Sequence, residues 1–391
     1  MPRGRVEGLY YITHIDNLPS IMARGVLCHH RIDSEQIPFT HIYDAQIVAN
    51  RSAMHVPDGR SLWEFANLYF QPRNAMLYRV LCEKSAEDVV VLAIQPTVLN
   101  RPDIFISTGN AASPLSEILP ASQARRRVPQ IKAATDKKWW TEVDGSKREM
   151  MAECLVPDSV PSELIQTIYV ASHEVADKAK ALLGQGGLPV IPEPEMFFEP
   201  SRRTPLTRHL FLVEGDLFFS RLHTLTVSVN CVGVMGKGLA SRAKYQFPDV
   251  YVFYQDLCRR RTLGMGRPYL YKRESSFDNQ LADEPSSLSN SNLETWFLLF
   301  PTKRDWRQRA DIGGIQEGLE WLQANYRAEG IKSLAIPALG CGLGWLDWRE
   351  VGPLLCRSLS ALDIDVWLYL PAERKVPEEY LTKEFLLGLG I

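Results

Sequence analysis

A carboxylate stands inside an apolar run at residues 150–156, Met-Met-Ala-Glu-Cys-Leu-Val. Burying a charge is costly unless a partner or a reaction uses it, so Glu153 is the first candidate for chemistry. His14 ends another apolar run, residues 8–14, as either a packed imidazole or a titratable donor. Arg51 closes a helix expected over residues 42–51, where it either complements the helix dipole or serves a ligand. Two glycine-rich stretches form a second group. Residues 230–240, Asn-Cys-Val-Gly-Val-Met-Gly-Lys-Gly-Leu-Ala, carry Gly233, Gly236 and Gly238. Glycines let a backbone approach a ligand, and a helix start behind them offers free N–H groups to an anion; the alternative is a tight turn. Residues 336–348, Ile-Pro-Ala-Leu-Gly-Cys-Gly-Leu-Gly-Trp-Leu-Asp-Trp, repeat the pattern. Two such loops on neighbouring parallel strands can grip a pyrophosphate from both sides. Lys237, beside a helix start, is then either a phosphate-pairing lysine or a nucleophile or base whose pKa the helix dipole lowers.

These residues need elements to hold them. In the first half, residues 8–14, 68–70, 76–82, 89–94 and 163–171 read as strands, and 16–24, 42–51 and 175–183 as helices. Short strands without a helix between each pair predict a mixed α+β domain with antiparallel pairing. Pro189, Pro192, Pro194, Pro200 and Pro205 then mark a stiff, extended joint from about residue 188, with a boundary near 205. In the second half, Leu225, Val227 and Val229 alternate as a buried strand before the first glycine loop, and a helix follows at 240–247. Residues 294–300, 334–338 and 366–370 are further core strands, and Ile315, Leu319, Leu322 and Tyr326 share one helix face. The Ser/Asn-rich stretch 275–292 reads as a mobile loop. Between the first-half strands, residues 113–147 form a polar stretch with Arg125, Arg126, Arg127, Lys132, Lys137, Lys138, Trp139 and Trp140. Cations interleaved with aromatics suit single-stranded nucleic acid; the alternative is a solvated loop with two tryptophans tucked into the core.

At 391 residues the chain predicts two domains, 1–205 and 206–391, and 45% hydrophobic content supports two cores. Charge is nearly balanced, 44 basic against 46 acidic residues, so no global field announces a polyanion. Neither a signal peptide nor an 18-residue apolar run is present, so no membrane partner is expected. The seven cysteines lack CxxC spacing, which predicts reduced thiols, a cytoplasmic location and no metal site.

The first half resembles the DarT-type DNA ADP-ribosyltransferases. The resemblance is carried by residues 10–19 (Tyr-Tyr-Ile-Thr-His-Ile-Asp-Asn-Leu-Pro), 49–51, 68–78, 108–113 and 152–156. It implies NAD+ contacts at Thr13, His14, Asn17, Arg51 and Tyr69. His14 would hold the adenosine-side ribose, and Arg51 would steady the phosphates or the nicotinamide ribose. Glu153 would bond the 2′-hydroxyl of that ribose, with Glu153 and Arg51 as catalytic residues. It also implies DNA contacts at Arg73, Arg125, Arg126, Arg127, Trp139 and Trp140. The logic is physical as well. Breaking the bond to nicotinamide leaves an oxocarbenium-like sugar that a carboxylate stabilises.

The second half resembles the DarG-type macrodomains, which bind ADP-ribose on an α/β fold, a mixed sheet sandwiched by helices. The carrying residues are Gly215-Asp216-Leu217, Val229-Asn230, the 233–238 loop, Phe300-Pro301-Thr302-Lys303 and the 340–348 loop. It implies ADP-ribose contacts at Asp216, Leu217, Asn230, Gly233, Val234, Met235, Gly236, Lys237, Gly340, Cys341, Gly342, Leu343, Gly344 and Trp345. Lys237 would release the sugar from a DNA base. Independently of the resemblance, Lys303, Arg304 and Arg307 after the strand at 294–300 read as cationic contacts to DNA. Trp345 departs from the family's smaller residues. The resemblance therefore implies a fused toxin–antitoxin with NAD+ as substrate, ADP-ribose as ligand, single-stranded and ADP-ribosylated DNA as partners, and no permanent cofactor. Two other readings remain: an ADP-ribose reader, or a small-molecule ADP-ribose hydrolase with a non-catalytic first half.

Overall fold

The computed structural model describes residues 6–42, 50–184, 187–283, 288 and 294–388. The expected helix 42–51 lies mostly outside them, as does much of the 275–292 stretch. The chain forms two compact units, one of residues 1–198 with 278–291, the other of 199–277 with 292–391.

The first unit holds β1 (Leu9–His14), β2 (Val26–Leu27), β3 (Phe65–Tyr69), β4 (Val89–Ile94), β5 (Phe105–Ser107), β6 (Ile118–Pro120), β7 (Glu153–Pro157), β8 (Ser159–Val160), β9 (Ile165–Val170) and β10 (Val190–Pro192). Eight form one sheet in the order β10-β9-β4-β1-β3-β7-β5-β6, antiparallel except for β10 on β9. Every residue of β4 is buried, so an unbroken apolar run became a central strand. Three expectations fail here. Residues 76–82 are not a strand but part of a helix, Ala75–Glu83, because the Asn74 side chain accepts from the N–H groups of Met76 and Leu77, both at 3.0 Å. The polar stretch 113–147 is not an open loop: it contains β6 and helices Ala121–Ala124, Val128–Thr135 and Ser146–Glu149. Part of the stretch read as a mobile loop is a helix, Phe277–Leu281, with Phe277, Asp278, Leu281 and Ala282 buried.

The second unit holds β11 (Arg202–Pro205), β12 (Leu210–Glu214), β13 (Thr224–Asn230), β14 (Tyr269–Tyr271), β15 (Trp296–Lys303), β16 (Ser333–Pro337) and β17 (Asp365–Tyr369). Their order is β11-β12-β17-β16-β13-β15-β14, parallel through the middle five and antiparallel at both edges. Parallel strands are buried on both faces, which explains the apolar runs of β15 and β16 and the burial of Thr224 and Thr226 in the alternating β13. From β13 the chain goes on to β15 on one side and then to β16 on the other. Such a reversal opens a crevice at the carboxyl ends of these strands, where α/β sheets bind ligands. Both glycine loops and Lys303 stand at that edge.

Candidate active sites

In the first unit, strand register brings distant residues together. Tyr69 lies opposite both Tyr10 and Glu153 across neighbouring strands. Glu153 is fully buried and its carboxylate has three donors. Arg51 approaches with Nη2 at 2.7 Å from Oε2 and Nη1 at 3.3 Å from Oε1, and the Ala111 N–H donates to Oε1 at 2.9 Å. A buried charge so held keeps a fixed geometry, which positioning of a reacting sugar requires. Burial, and next the Glu153 charge, push the Tyr69 phenol far above its usual range, so Tyr69 keeps its proton at neutral pH.

The turn that supplies Ala111 is itself braced. The Asp283 carboxylate accepts from Asn110 Nδ2 at 3.3 Å, and the Asn110 side chain accepts from the Ala112 N–H at 2.9 Å. Asp283 is fixed by its own backbone: its N–H donates to the Ala75 carbonyl and its carbonyl accepts from Arg79 Nη1, both at 3.0 Å. Asp278 accepts from the Tyr78 hydroxyl at 2.7 Å, and the Leu281 carbonyl accepts from Trp140 Nε1 at 2.9 Å. Residues 278–283 thus complete the first unit.

The remaining first-unit candidates divide. His14 Nδ1 accepts from the Asp16 N–H at 3.2 Å, capping a short turn rather than meeting Glu153. Thr13 and Asn17 face the fold: Asn17 Nδ2 donates to Thr13 Oγ1, and the Asn17 amide exchanges two bonds with the Thr40 backbone. Its amide therefore bridges Thr13 on β1 and the backbone of Thr40. Trp140 is fully buried, so it packs and does not stack on bases. Trp139 is partly buried. Arg125 donates to the carbonyls of Leu99, Asn100 and Arg101, Arg127 pairs with Glu117, and Arg73 donates to the Glu195 and Lys138 carbonyls. Arg125, exposed, and Arg73, partly buried, thus each brace backbone carbonyls of neighbouring segments. Arg126 is exposed.

In the second unit, Gly233 and Gly340 have φ of 81° and 77°, left-handed turns that a side chain would strain. Asn230 organises the first loop: Nδ2 donates to the Val234 carbonyl at 2.6 Å and Oδ1 accepts from the Val232 N–H at 3.0 Å. The buried Tyr254 hydroxyl, 2.9 Å from Asn230 Oδ1, fixes it in turn. Asn230 therefore organises the first glycine loop. Asp216 accepts from the Phe218 N–H and is gripped by Arg242 Nη1 at 2.7 Å to each oxygen. Leu217 and Met235 are buried, Val234 is exposed, and Gly236 with Lys237 lies on the surface ahead of the helix Gly238–Gln246. The Glu373 carboxylate reaches both glycine loops, 3.0 Å from where a Cβ on Gly342 would stand and 4.0 Å from one on Gly238.

Lys303 is the residue that sequence reasoning undervalued. It ends β15, and its Nζ donates to the Leu343 carbonyl at 3.1 Å, spanning to the second loop. Partial burial holds its pKa below the usual lysine value. The available signal was its place at the carboxyl end of a continuous apolar strand, where α/β sheets put their chemistry.

A family model described as ssDNA thymidine ADP-ribosyltransferase, DarT, matches residues 10–198. A DNA ADP-ribosyl transferase–DNA ADP-ribosyl glycohydrolase fusion protein from Thermosipho africanus is 54% identical over 384 residues, 98% of this chain and 99% of that protein. The solved structure of Thermosipho africanus DarTG in complex with ADP-ribose superposes with a TM-score of 0.92 at 52% identity, over 97% of this chain and all of that one (100%). A DNA ADP-ribosyl glycohydrolase of Thermus aquaticus is 36% identical over 165 residues, 42% of each chain.

Proposed function

Because the chain belongs to the DarT–DarG family of DNA ADP-ribosyl transferase–glycohydrolase fusion proteins, we propose a division of labour between its two units built on Glu153 and Lys303. The first unit writes: it transfers ADP-ribose from NAD+ to thymine in single-stranded DNA. The second erases by cutting that bond. The single observation that carries the writer is the buried Glu153 carboxylate held by Arg51 and the Ala111 N–H. As the bond from the anomeric carbon to nicotinamide breaks, its electron pair leaves with nicotinamide and positive charge grows on the sugar. Glu153 stabilises that charge, while Arg51 turns to the phosphates. A thymine nitrogen then bonds the anomeric carbon and passes its proton to the Glu153 carboxylate or to solvent water.

For the eraser, the geometry favours Lys303 over Lys237. Lys237 is solvent-exposed on a loop. Lys303 is anchored at the crevice with its pKa lowered by burial, so a larger neutral fraction is available to attack the anomeric carbon or to deprotonate water. The base leaves with the electron pair of the broken bond and takes up a proton, and water supplies the hydroxyl at the anomeric carbon, directly or by releasing the lysine adduct. No helix among the described residues is long and apolar enough to cross a membrane, and all seven cysteines are free. We place the protein in the cytoplasm, where NAD+ and single-stranded DNA are available. Fusion keeps eraser and writer at a fixed one-to-one ratio.

The experiment is mass spectrometry of a thymine-containing oligonucleotide incubated with NAD+ and the Lys303→Ala chain. A gain of one ADP-ribose, lost in the Glu153→Gln, Lys303→Ala double variant, supports the writer. No adduct on any single-stranded sequence refutes it.

A further inference from the structure

The rim of the second unit's crevice carries side chains that neither sheet nor core explains. Trp345 is 64% exposed and Trp306 49% exposed. Trp345 also has φ of 61°, a left-handed conformation that residues with a Cβ avoid. A large apolar ring is thus held in a strained turn and in water, two costs at one residue. Such outliers persist where the surroundings enforce them and a function uses them.

Hydrogen bonds place the two tryptophans on neighbouring loops. Trp345 N–H donates to the Gly342 carbonyl at 3.1 Å, and Ala310 N–H donates to the Gly344 carbonyl at 3.0 Å. With the Lys303 tie to Leu343, these bonds lay residues 303–310 alongside 342–345. The Arg304 carbonyl accepts from the Cys231 N–H at 3.1 Å, so the same segment borders the first glycine loop. Its sequence from 303 to 309 is Lys-Arg-Asp-Trp-Arg-Gln-Arg, and Arg304, Arg307 and Arg309 are all exposed. Among the described residues, Arg304 and Arg309 have no carboxylate within ion-pair distance. The one acid, Asp305, accepts from the Arg307 N–H at 2.9 Å and keeps the turn closed.

We propose that Trp306 and Trp345, with Arg304, Arg307 and Arg309, form a track for the single-stranded DNA that flanks the modified base. The indoles stack on neighbouring bases and the guanidiniums meet phosphates. This deepens the glycohydrolase reading of the second unit and rests on it. Charge complementarity selects the occupant: a cationic, indole-bearing rim at the mouth of the crevice matches a polyanion whose bases are unpaired. A duplex would hide those faces.

The test compares two substrates with the full chain in the absence of NAD+, so that the writer is silent. One is an ADP-ribosylated thymidine nucleotide, the other a dodecamer of thymidylate carrying one ADP-ribosylated base. The parent strips the dodecamer with the higher kcat/KM. Trp306→Ala lowers kcat/KM for the dodecamer about tenfold, the size of one lost stacking contact, through KM, and leaves the nucleotide unchanged. Arg304→Gln combined with Arg309→Gln flattens the salt dependence for the dodecamer by roughly 0.7 per lost phosphate contact. Equal rates for both substrates in parent and variants overturn the track while leaving the eraser intact. A parent that strips neither substrate defeats the eraser reading itself. A Trp306→Ala effect on self-association, without any effect on the dodecamer, assigns the rim to a second copy and overturns the track.

Discussion

Arg51 and Glu153 lie 102 positions apart in the chain and meet in a two-point ion pair, 2.7 Å at its shorter contact, with Glu153 fully buried and Arg51 still partly exposed. The pair gives the carboxylate a fixed direction and leaves the guanidinium able to exchange a carboxylate for a phosphate. Arg51→Lys keeps the charge but loses the fork that engages both oxygens. It is expected to lower transferase kcat/KM by about a hundredfold, the cost of losing a fixed donor at a developing charge. Single-turnover rates with excess NAD+ check this, and an Arg51→Lys chain as fast as the parent counts against Arg51 as more than a counter-ion.

A second prediction concerns the brace behind the site. Asp283 holds Asn110, next to the residue whose N–H donates to Glu153. Asp283→Ala and Asn110→Ala should each lower transferase kcat, and the double variant should fall no further than either single one. Additive losses would show that the two residues act separately. ADP-ribose removal, measured in the same chains, is expected to stay at the parental rate.

How much of this was readable from sequence depended on the range of the interactions. Glu153 was legible because a charge in an apolar run violates a local pattern, and both glycine loops because strand, loop and helix follow one another within a dozen residues. The helix at 75–83 was misread because its apolar residues fit either period, and the Asn74 cap decides the matter. Trp140 looked like a stacking platform beside cations. Its true partners, the Leu281 carbonyl and the rings of Tyr78 and Phe198, are distant in sequence. No local pattern links residue 283 to residue 110. Lys303 reads from sequence as a cationic DNA contact, because its tie to the Leu343 carbonyl lies 40 positions away in the chain.

Burial, with Arg51 nearby, lowers the His29 pKa to about 4, so the imidazole is neutral in the fold. The unfolded chain binds that proton at higher pH. Stability is therefore complete above the unfolded value near 6.5 and falls as pH drops from there toward 4, by about 3 kcal/mol at most. His29→Gln should flatten this part of the stability profile in urea titrations. An unchanged difference between pH 7 and pH 4.5 would show that His29 is not the sensor.

Glu373 places a carboxylate against both glycine loops, where a pyrophosphate would be repelled. Glu373→Gln is expected to tighten ADP-ribose binding roughly fivefold, the size of one screened charge contact. Calorimetric titration with ADP-ribose reads this directly, and weaker binding in the variant would mean that Glu373 serves the ligand.

The most direct measurement follows one oligonucleotide through both reactions. A thymine-containing strand is modified by the Lys303→Ala chain and NAD+, freed of NAD+, and then given the Glu153→Gln chain while its mass is recorded. The expected course is a gain of one ADP-ribose and then its complete loss, with Lys237→Ala, Glu153→Gln still stripping the strand and Lys303→Ala, Glu153→Gln leaving it intact. An adduct that persists in the presence of the Glu153→Gln chain, or that Lys303→Ala, Glu153→Gln removes at the parental rate, would contradict it.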